Sequence, residues 1–308
     1  KSPEFKFTQA IPVRKTIFDL EKIPGITPIG DNVTVTPEGE KFPLVTVGQT
    51  WRHAPVLKKR GFRIMLTKEA IFFDRTGQLQ KTAADGGRSM GQNEEKRAVC
   101  CVIDEAGTLT PAPNVSALLG GHRYHYRDNS IATYGNNSGN HAFDNLSATT
   151  ALVDWTDVEA VSQLLYQMVD PDTSEPIVFS DKLTLVCGQQ LELTALRIRN
   201  ATEIIVTTPG YATSGNPSQA KVTNPYGGRF EVLTSPYVEN QMTTDTSWFY
   251  GDLSAAYENV VAWDEEMKAL GSNTQLELEQ DIVQQYRWSK MSNFSTKEPR
   301  AMIGATVA

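Results

Sequence analysis

The sequence contains few of the residues that hold disulfide-rich domains or metal centres together. It has three cysteines in 308 residues, Cys100, Cys101 and Cys187. Their number is odd, and their spacing matches neither a disulfide framework nor a zinc site. The sequence therefore predicts a reducing compartment, with Cys100 and Cys101 as packing residues at the apolar end of a helix. No apolar run approaches the roughly 20 residues that span a bilayer, which predicts no membrane-spanning helix.

Sequence motifs of common enzyme classes are missing as well. The chain has no phosphate-binding P-loop, no Gly-x-Gly-x-x-Gly turn and no Gly-x-Ser-x-Gly nucleophile elbow. These absences predict a protein that is not an enzyme and uses no cofactor. Positive charge is also in deficit, with 29 Lys and Arg against 36 Asp and Glu, for a net charge of -7. Such a balance argues against a surface built to grip nucleic-acid phosphates, although not against enclosing nucleic acid.

One cluster of histidines keeps a different class of function open. Three of the four histidines fall within twenty positions, and the ligand set of a metal-dependent enzyme would be His122, His125, Asp128 and His141. A metal site needs three or four converging ligands, and this spacing fits no zinc pattern. The simpler interpretation is a polar loop at a subunit contact. In that interpretation the interleaved Arg123, Tyr124, Tyr126 and Arg127 are contact residues, because Tyr and Arg are enriched at interface hot spots.

The segment from Lys58 to Asp104 carries the clearest structural pattern. A basic turn leads into a strand-like run, 62–66, which is followed by the helix-capping residue Thr67. A long polar helix then lies within 77–104, with 90–103 its most secure part. Its apolar stripe is thin, since an ordinary surface helix has apolar residues at i, i+3, i+4 and i+7. We therefore expect a helix that does not cross one large core and depends on neighbouring subunits.

The rest of the chain alternates between short elements. The helical spacing of apolar residues after Trp155 predicts a helix, with Asp157 in its first turn. The predicted strands are 32–36, 177–179, 183–186, 204–206, 230–233, 281–288 and 301–307. A helix is predicted at 190–199 and a loop at 207–228.

Three local patterns, taken in this order, resemble the major capsid proteins of tailed bacteriophages, which share the HK97-like fold. The first is Leu66-Thr67-Lys68-Glu69 leading into Phe73-Asp74, just before the long helix. The second is the aromatic-Gly-Asp segment at 248–252. The third is the 281–288 strand followed by Glu298-Pro299-Arg300-Ala301-Met302. The order of elements spans nearly the whole chain.

The resemblance implies an α+β fold with the family's division of the chain. Residues 1–30 correspond to the N-terminal arm, and 31–66 to the extended E-loop hairpin. Residues 67–149 correspond to the peripheral domain with its long spine helix, 150–275 to the axial domain, and 276–308 to the closing strands of the peripheral domain. Within this scheme Trp51 is expected to anchor in a neighbouring subunit. Lys58, Lys59 and Arg60 are expected to pair with acidic groups there, and Gly251 and Asp252 to form a tight turn.

The resemblance also implies a function. It predicts a structural head protein that self-assembles through hexamers and pentamers into an icosahedral shell around double-stranded DNA, without sequence-specific binding. Its further partners would be portal, scaffolding or decoration proteins. The place of action would be the virion, with assembly in the cytoplasm of the bacterial host. An encapsulin-like compartment that encloses protein cargo is the alternative on the same fold.

Overall fold

A computed structural model describes most of the chain. The described residues are 5–18, 22–26, 33–45, 49–53, 57–74, 85–103, 133–135, 143–147, 149–169, 174–179, 182–208, 218–241, 246–271, 275 and 279–305. The helices are α1 (Lys6–Ala10), α2 (Lys68–Phe73), α3 (Gly86–Val102), α4 (Trp155–Tyr166), α5 (Gln189–Asn200), α6 (Pro236–Gln241) and α7 (Leu253–Ala256), with a 3-10 helix at Pro299–Ala301. Among these described residues, no helix combines the length and the apolar character that crossing a membrane requires.

The strands fall into two larger sheets and two hairpins. They are β1 (Val13–Lys15), β2 (Lys22–Ile26), β3 (Gln49–His53), β4 (Lys58–Thr67), β5 (Leu146–Ser147), β6 (Leu183–Cys187), β7 (Glu203–Thr208), β8 (Ser218–Thr223), β9 (Phe230–Thr234), β10 (Trp248–Gly251), β11 (Tyr257–Leu270), β12 (Ile282–Thr296) and β13 (Met302–Ala305). The long sheet has the order β1-β11-β12-β4, and the central sheet has the order β5-β13-β10-β6-β9. The hairpins are β2-β3 and β7-β8.

The long sheet is built from the longest strands of the chain. β11 has 14 residues and β12 has 15, and they pair antiparallel from Tyr257–Thr296 to Leu270–Gln285. β4 pairs antiparallel with the other edge of β12, and β1 adds in parallel to β11. The strand predicted at 281–288 is thus confirmed and extends further, because β12 stays paired with β11 as far as Thr296.

Helix α3 is buried to a degree that the sequence analysis does not predict. The run Ala98–Ile103 lies in a core cluster with Phe7, Phe249, Tyr257 and Phe294. The expectation of a helix that avoids a large core is therefore wrong for its C-terminal half. Apolar residues there are consecutive rather than periodic, because the helix is enclosed on all sides and needs no single apolar stripe.

Local sequence signals specify the elements of the central sheet well. Asp154 caps α4 by accepting a hydrogen bond from Thr156 N, and Asp157 completes a capping box with the backbone of Asp154. A capping box satisfies otherwise unpaired backbone N–H groups at a helix start. The predicted helices at 155 and at 190–199 and the strands at 183–186 and 230–233 are confirmed. The strand predicted at 204–206 is confirmed as well, but it lies in the β7-β8 hairpin. A second core cluster joins α4 and α5 to this sheet.

Three strand and loop predictions are wrong. The described residues 33–36 form no strand, and β3 pairs instead with β2, which lies in the region assigned to the N-terminal arm. Residues 177–179 form no strand, and the adjacent Pro176 makes only an isolated bridge to Val169. The predicted loop 207–228 contains β8, which pairs with β7. In each case the presence or absence of a pairing partner, rather than local composition, decides the outcome.

Candidate assembly surfaces

Glu94 joins helix α3 to the long sheet. Its carboxylate accepts hydrogen bonds from Lys290 Nζ at 2.6 and 2.8 Å and from Asn259 Nδ2 at 2.9 Å. Lys290 belongs to β12 and Asn259 to β11. The Lys290 and Glu94 side chains are only 14% and 10% exposed. Charge-assisted hydrogen bonds of this kind are stronger than neutral ones, so this contact fixes the position of α3 over the sheet.

Arg97, one turn further along α3, shares an acceptor with Arg60 on β4. Arg97 Nη1 donates to the carbonyl oxygen of Ser292 at 3.2 Å, and Arg60 Nη1 donates to the same oxygen at 2.8 Å. Burial lowers the pKa of Arg97 to about 10; the neighbouring Arg60 cation lowers it too, whereas Glu94 opposes the shift. Burial also lowers the pKa of Arg60. Arg97 therefore stays charged at neutral pH, and Arg60 has a role within its own subunit.

The basic residues at the start of β4 lie on its two faces. Lys58 and Arg60 are half-buried, on the face that Arg97 approaches, whereas Lys59 is exposed on the opposite face. Successive side chains of a strand point to opposite faces. The three residues therefore do not form one contact patch. Of the three, Lys59 is the one whose exposed side chain is accessible to a neighbouring subunit.

The N-terminal segment, residues 5–15, is anchored on α3. The buried carboxylate of Glu95 accepts hydrogen bonds from Phe7 N and Thr8 N, both at 2.9 Å, and from Thr8 Oγ1 at 2.7 Å. Phe5 packs against Gly91, where an added Cβ would lie 2.6 Å from the ring. The segment continues into β1 on the long sheet. This part of the predicted N-terminal arm is thus incorporated into its own subunit.

A cavity of about 540 Å³ opens between the N-terminal segment, α3 and β11. Its walls include Phe5, Gly91, Glu94 and Glu265. Burial raises the pKa of Glu265, Lys290 opposes that effect, and Glu94 adds to it. Among the described residues, no group of three or more His, Cys, Asp or Glu side chains is arranged to hold a metal ion.

The Gly251–Asp252 corner connects β10 to α7 under tight geometric limits. Gly251 has a φ of 155°, and a Cβ at this position would lie 2.1 Å from the carbonyl oxygen of Ala301. Asp252 then caps α7, accepting hydrogen bonds from Ser254 N at 2.9 Å and Ala255 N at 3.1 Å. Glycine is required because the Ala301 backbone occupies the space of a side chain.

Residues 33–45, which we call the turn segment, expose large apolar side chains. Val35, Phe42 and Leu44 are 98%, 85% and 92% exposed. The segment reverses at Pro37–Glu40, where Glu40 N donates to Pro37 O at 3.1 Å and Gly39 has a φ of 86°. Phe72 and Phe73 at the end of α2 are also exposed and meet edge to face, with ring centroids 5.4 Å apart. Contiguous exposed apolar groups mark interaction sites.

Several predicted site residues lie outside the described part of the chain. They are Arg123, Tyr124, Tyr126 and Arg127, and the candidate metal ligands His122, His125, Asp128 and His141. Trp51 lies on β3, of which the structure describes the backbone. The sequence analysis also missed Glu94, Glu95 and Arg97 as anchoring residues. A signal exists, since these charges sit next to the apolar run 98–103, but their partners are up to 196 positions away.

Comparison with protein families identifies one match over most of the chain. The family model described as Phage capsid protein matches residues 54–305. This range begins before β4 and ends with β13, so it contains both sheets apart from β1. No curated protein matches the sequence.

Solved structures with the same fold come from several phages. The capsid of the cyanophage P-SCSP1u matches with a TM-score of 0.58 at 9% identity, covering 97% of this chain and 86% of that one. The mature capsid of bacteriophage PhiM1 matches with a TM-score of 0.56 at 10% identity, covering 98% and 86%. Mycobacterium phage Ogopogo matches with a TM-score of 0.54 at 14% identity, covering 98% and 92%. At these identities the likeness establishes the fold, and it confirms the α+β architecture of HK97-like capsid proteins.

Proposed function

Because this chain belongs to the phage capsid protein family, we propose that its copies form the icosahedral head shell of a tailed phage, as hexamers and pentamers around double-stranded DNA. Its role is structural, and its place is the virion capsid. Assembly would take place in the cytoplasm of the bacterial host, with portal, scaffolding or decoration proteins as further partners. The acidic balance of the chain would limit adhesion of the packaged DNA to the wall.

The observation that carries this proposal is the family match, which extends over residues 54–305 of this chain. The described part of the chain also exposes apolar side chains that contacts between subunits would cover, among them Phe42, Leu44, Phe72 and Phe73.

The exposed apolar side chains indicate where contacts between subunits would form. We assign the region 31–66 to the E-loop, with the turn segment reaching over a neighbouring subunit and Trp51 as an anchor. Burial of apolar surface contributes about 25 cal/mol per Å². Many repeated contacts in a closed symmetric assembly then multiply a modest gain per contact.

The division of the chain follows from the same assignment. Residues 1–30 would be the N-terminal arm, 67–149 and 276–308 the peripheral domain, and 150–275 the axial domain. Arg123, Tyr124, Tyr126 and Arg127 would belong to a contact loop. Within this scheme the Glu94 and Arg97 contacts supply a rigid unit from which the exposed segments project.

Expression of the full chain, followed by size-exclusion chromatography and negative-stain electron microscopy, tests the proposal. Hollow polyhedra, tubes or capsomer rings are expected. The variant Phe42→Ser/Leu44→Ser should lose these assemblies and stay folded, whereas Val178→Ser, at a side chain that is 93% exposed elsewhere, should retain them. A wild-type chain that remains a monodisperse monomer or dimer, with and without a co-expressed scaffolding protein, would overturn the proposal.

A further inference from the structure

Three cations face each other across the strands of the long sheet. Arg63 on β4 lies directly opposite Arg287 on β12, and Arg287 lies directly opposite Lys268 on β11. Directly opposed residues of antiparallel strands share a face, with Cβ atoms about 5 Å apart, and like charges in such positions are destabilising. Lys268 Nζ lies 2.9 Å from Glu266 Oε1. Across the described ranges, neither Arg63 nor Arg287 forms an ion pair.

Apolar side chains border this row on the same face. Met65 and Leu270 both lie opposite Gln285, on one side of the row. On the other side, Trp263 lies opposite Met291. Met65, Leu270 and Trp263 are 40%, 55% and 42% exposed. The surface, which we call the cationic face, therefore has apolar side chains on both sides of its cationic row, with Glu266 next to the row and the exposed cation Lys59 beside Trp263, opposite Met291.

That order selects the kind of anion that fits the cationic face. A nucleic-acid backbone presents phosphates at regular intervals and leaves flanking apolar side chains without contacts. A peptide with acidic residues between apolar ones matches both parts of the surface. Opposite charges and apolar groups in matching positions are what distinguish a specific protein interface.

The turn segment of this chain has the matching order. Glu38 and Glu40 lie at its reversal, and the apolar pair Phe42 and Leu44 follows after the single cation Lys41. Phe42 and Leu44 are 85% and 92% exposed, so the turn segment does not dock on its own subunit. A turn segment that occupies the cationic face therefore belongs to a second copy of the chain.

We propose that the turn segment of one copy docks on the cationic face of a second copy. Glu38 and Glu40 face the row of Arg63, Arg287 and Lys268, and Phe42 and Leu44 cover the apolar border. This assignment rests on the proposed function, since it names the surface that receives the E-loop within the shell.

A charge-swap experiment tests the pairing in the full chain. Arg63→Glu/Arg287→Glu and Glu38→Lys/Glu40→Lys should each raise the lowest concentration that yields shells by about tenfold, since attraction becomes repulsion at every repeated contact. The chain with all four changes should return to within about threefold of wild type. Arg229→Glu/Lys297→Glu, a reversal of two exposed cations elsewhere, should assemble like wild type.

A single substitution separates the contact from folding. Arg287→Glu should raise the melting temperature of the unassembled subunit, because it removes two like-charge oppositions, and should still weaken assembly. A variant that loses folding would instead show a lower melting temperature together with weaker assembly. If the double reversal fails to fold, Arg63→Gln/Arg287→Gln provides the same test with a smaller expected effect.

Three results would overturn the assignment. One is a double reversal that assembles at the wild-type concentration. Another is that both double reversals impair assembly and the chain with all four changes assembles no better than either of them. The third is normal shells that have lost nucleic acid, which would assign the cationic face to a polyanion. Shell formation by the wild-type chain in the same experiment tests the proposed function. Failure of the proposed function is therefore distinguishable from failure of the docking assignment.

Discussion

The carboxylate of Glu94 lies 2.6 Å from the ammonium of Lys290, where helix α3 crosses strand β12. The two residues are 196 positions apart in the sequence. Their contact joins the first third of the chain to its last strands, so the position of helix α3 depends on closure of the long sheet.

Replacing Lys290 with Met should lower the free energy of unfolding of the unassembled subunit by about 3 kcal/mol, because it leaves a nearly buried carboxylate without its cation. Urea denaturation followed by circular dichroism measures this. The double variant Glu94→Gln/Lys290→Met should recover more than half of the loss. Equal losses in the single and double variants would show that the ion pair is not the cause.

Gly251→Ala should destabilise the subunit by about 3 kcal/mol, since its Cβ would overlap the Ala301 carbonyl oxygen and φ is unfavourable for alanine. Gly271→Ala is the matched control, because nothing lies within 4 Å of its Cβ position. Thermal unfolding should separate the two variants clearly. Similar melting temperatures would contradict the close approach at this corner.

The stability of the unassembled subunit should depend on Glu265 in mildly acidic solution. Burial raises the pKa of Glu265 above its ordinary value of 4.5, so the folded state holds the proton more tightly than the unfolded state. Its contribution to stability is therefore present below pH 4.5 and declines as pH rises through the folded pKa. Glu265→Gln should remove this decline. Denaturation midpoints measured across that window for both proteins test the sign, and parallel profiles would contradict it.

Lys59 and Arg60 should respond differently to substitution although they are adjacent. Arg60→Ala should lower the free energy of unfolding by about 1 kcal/mol, because Ser292 O loses one of its two guanidinium donors. Lys59→Glu should leave unfolding within about 0.5 kcal/mol of wild type and weaken shell formation. Chemical denaturation and electron microscopy provide the two readouts. An Arg60→Ala protein with wild-type stability and no shells would place that side chain at the interface instead.

Local sequence patterns are sufficient where neighbouring residues decide the structure. Asp154 and Asp157 mark the start of α4 because capping involves residues three positions apart. The alternation at 281–288 indicates β12, and the order of elements is enough to identify an HK97-like subunit.

Tertiary structure alone decides which strands pair and which charges meet. The sequence shows three separate cations at 63, 268 and 287, and only the register of β4, β12 and β11 places them in one row. Likewise, β3 pairs with β2 rather than with the strand predicted at 32–36. The physical reason is that strand pairing and burial depend on contacts between distant segments, whose free energies are comparable for several registers until the whole sheet closes.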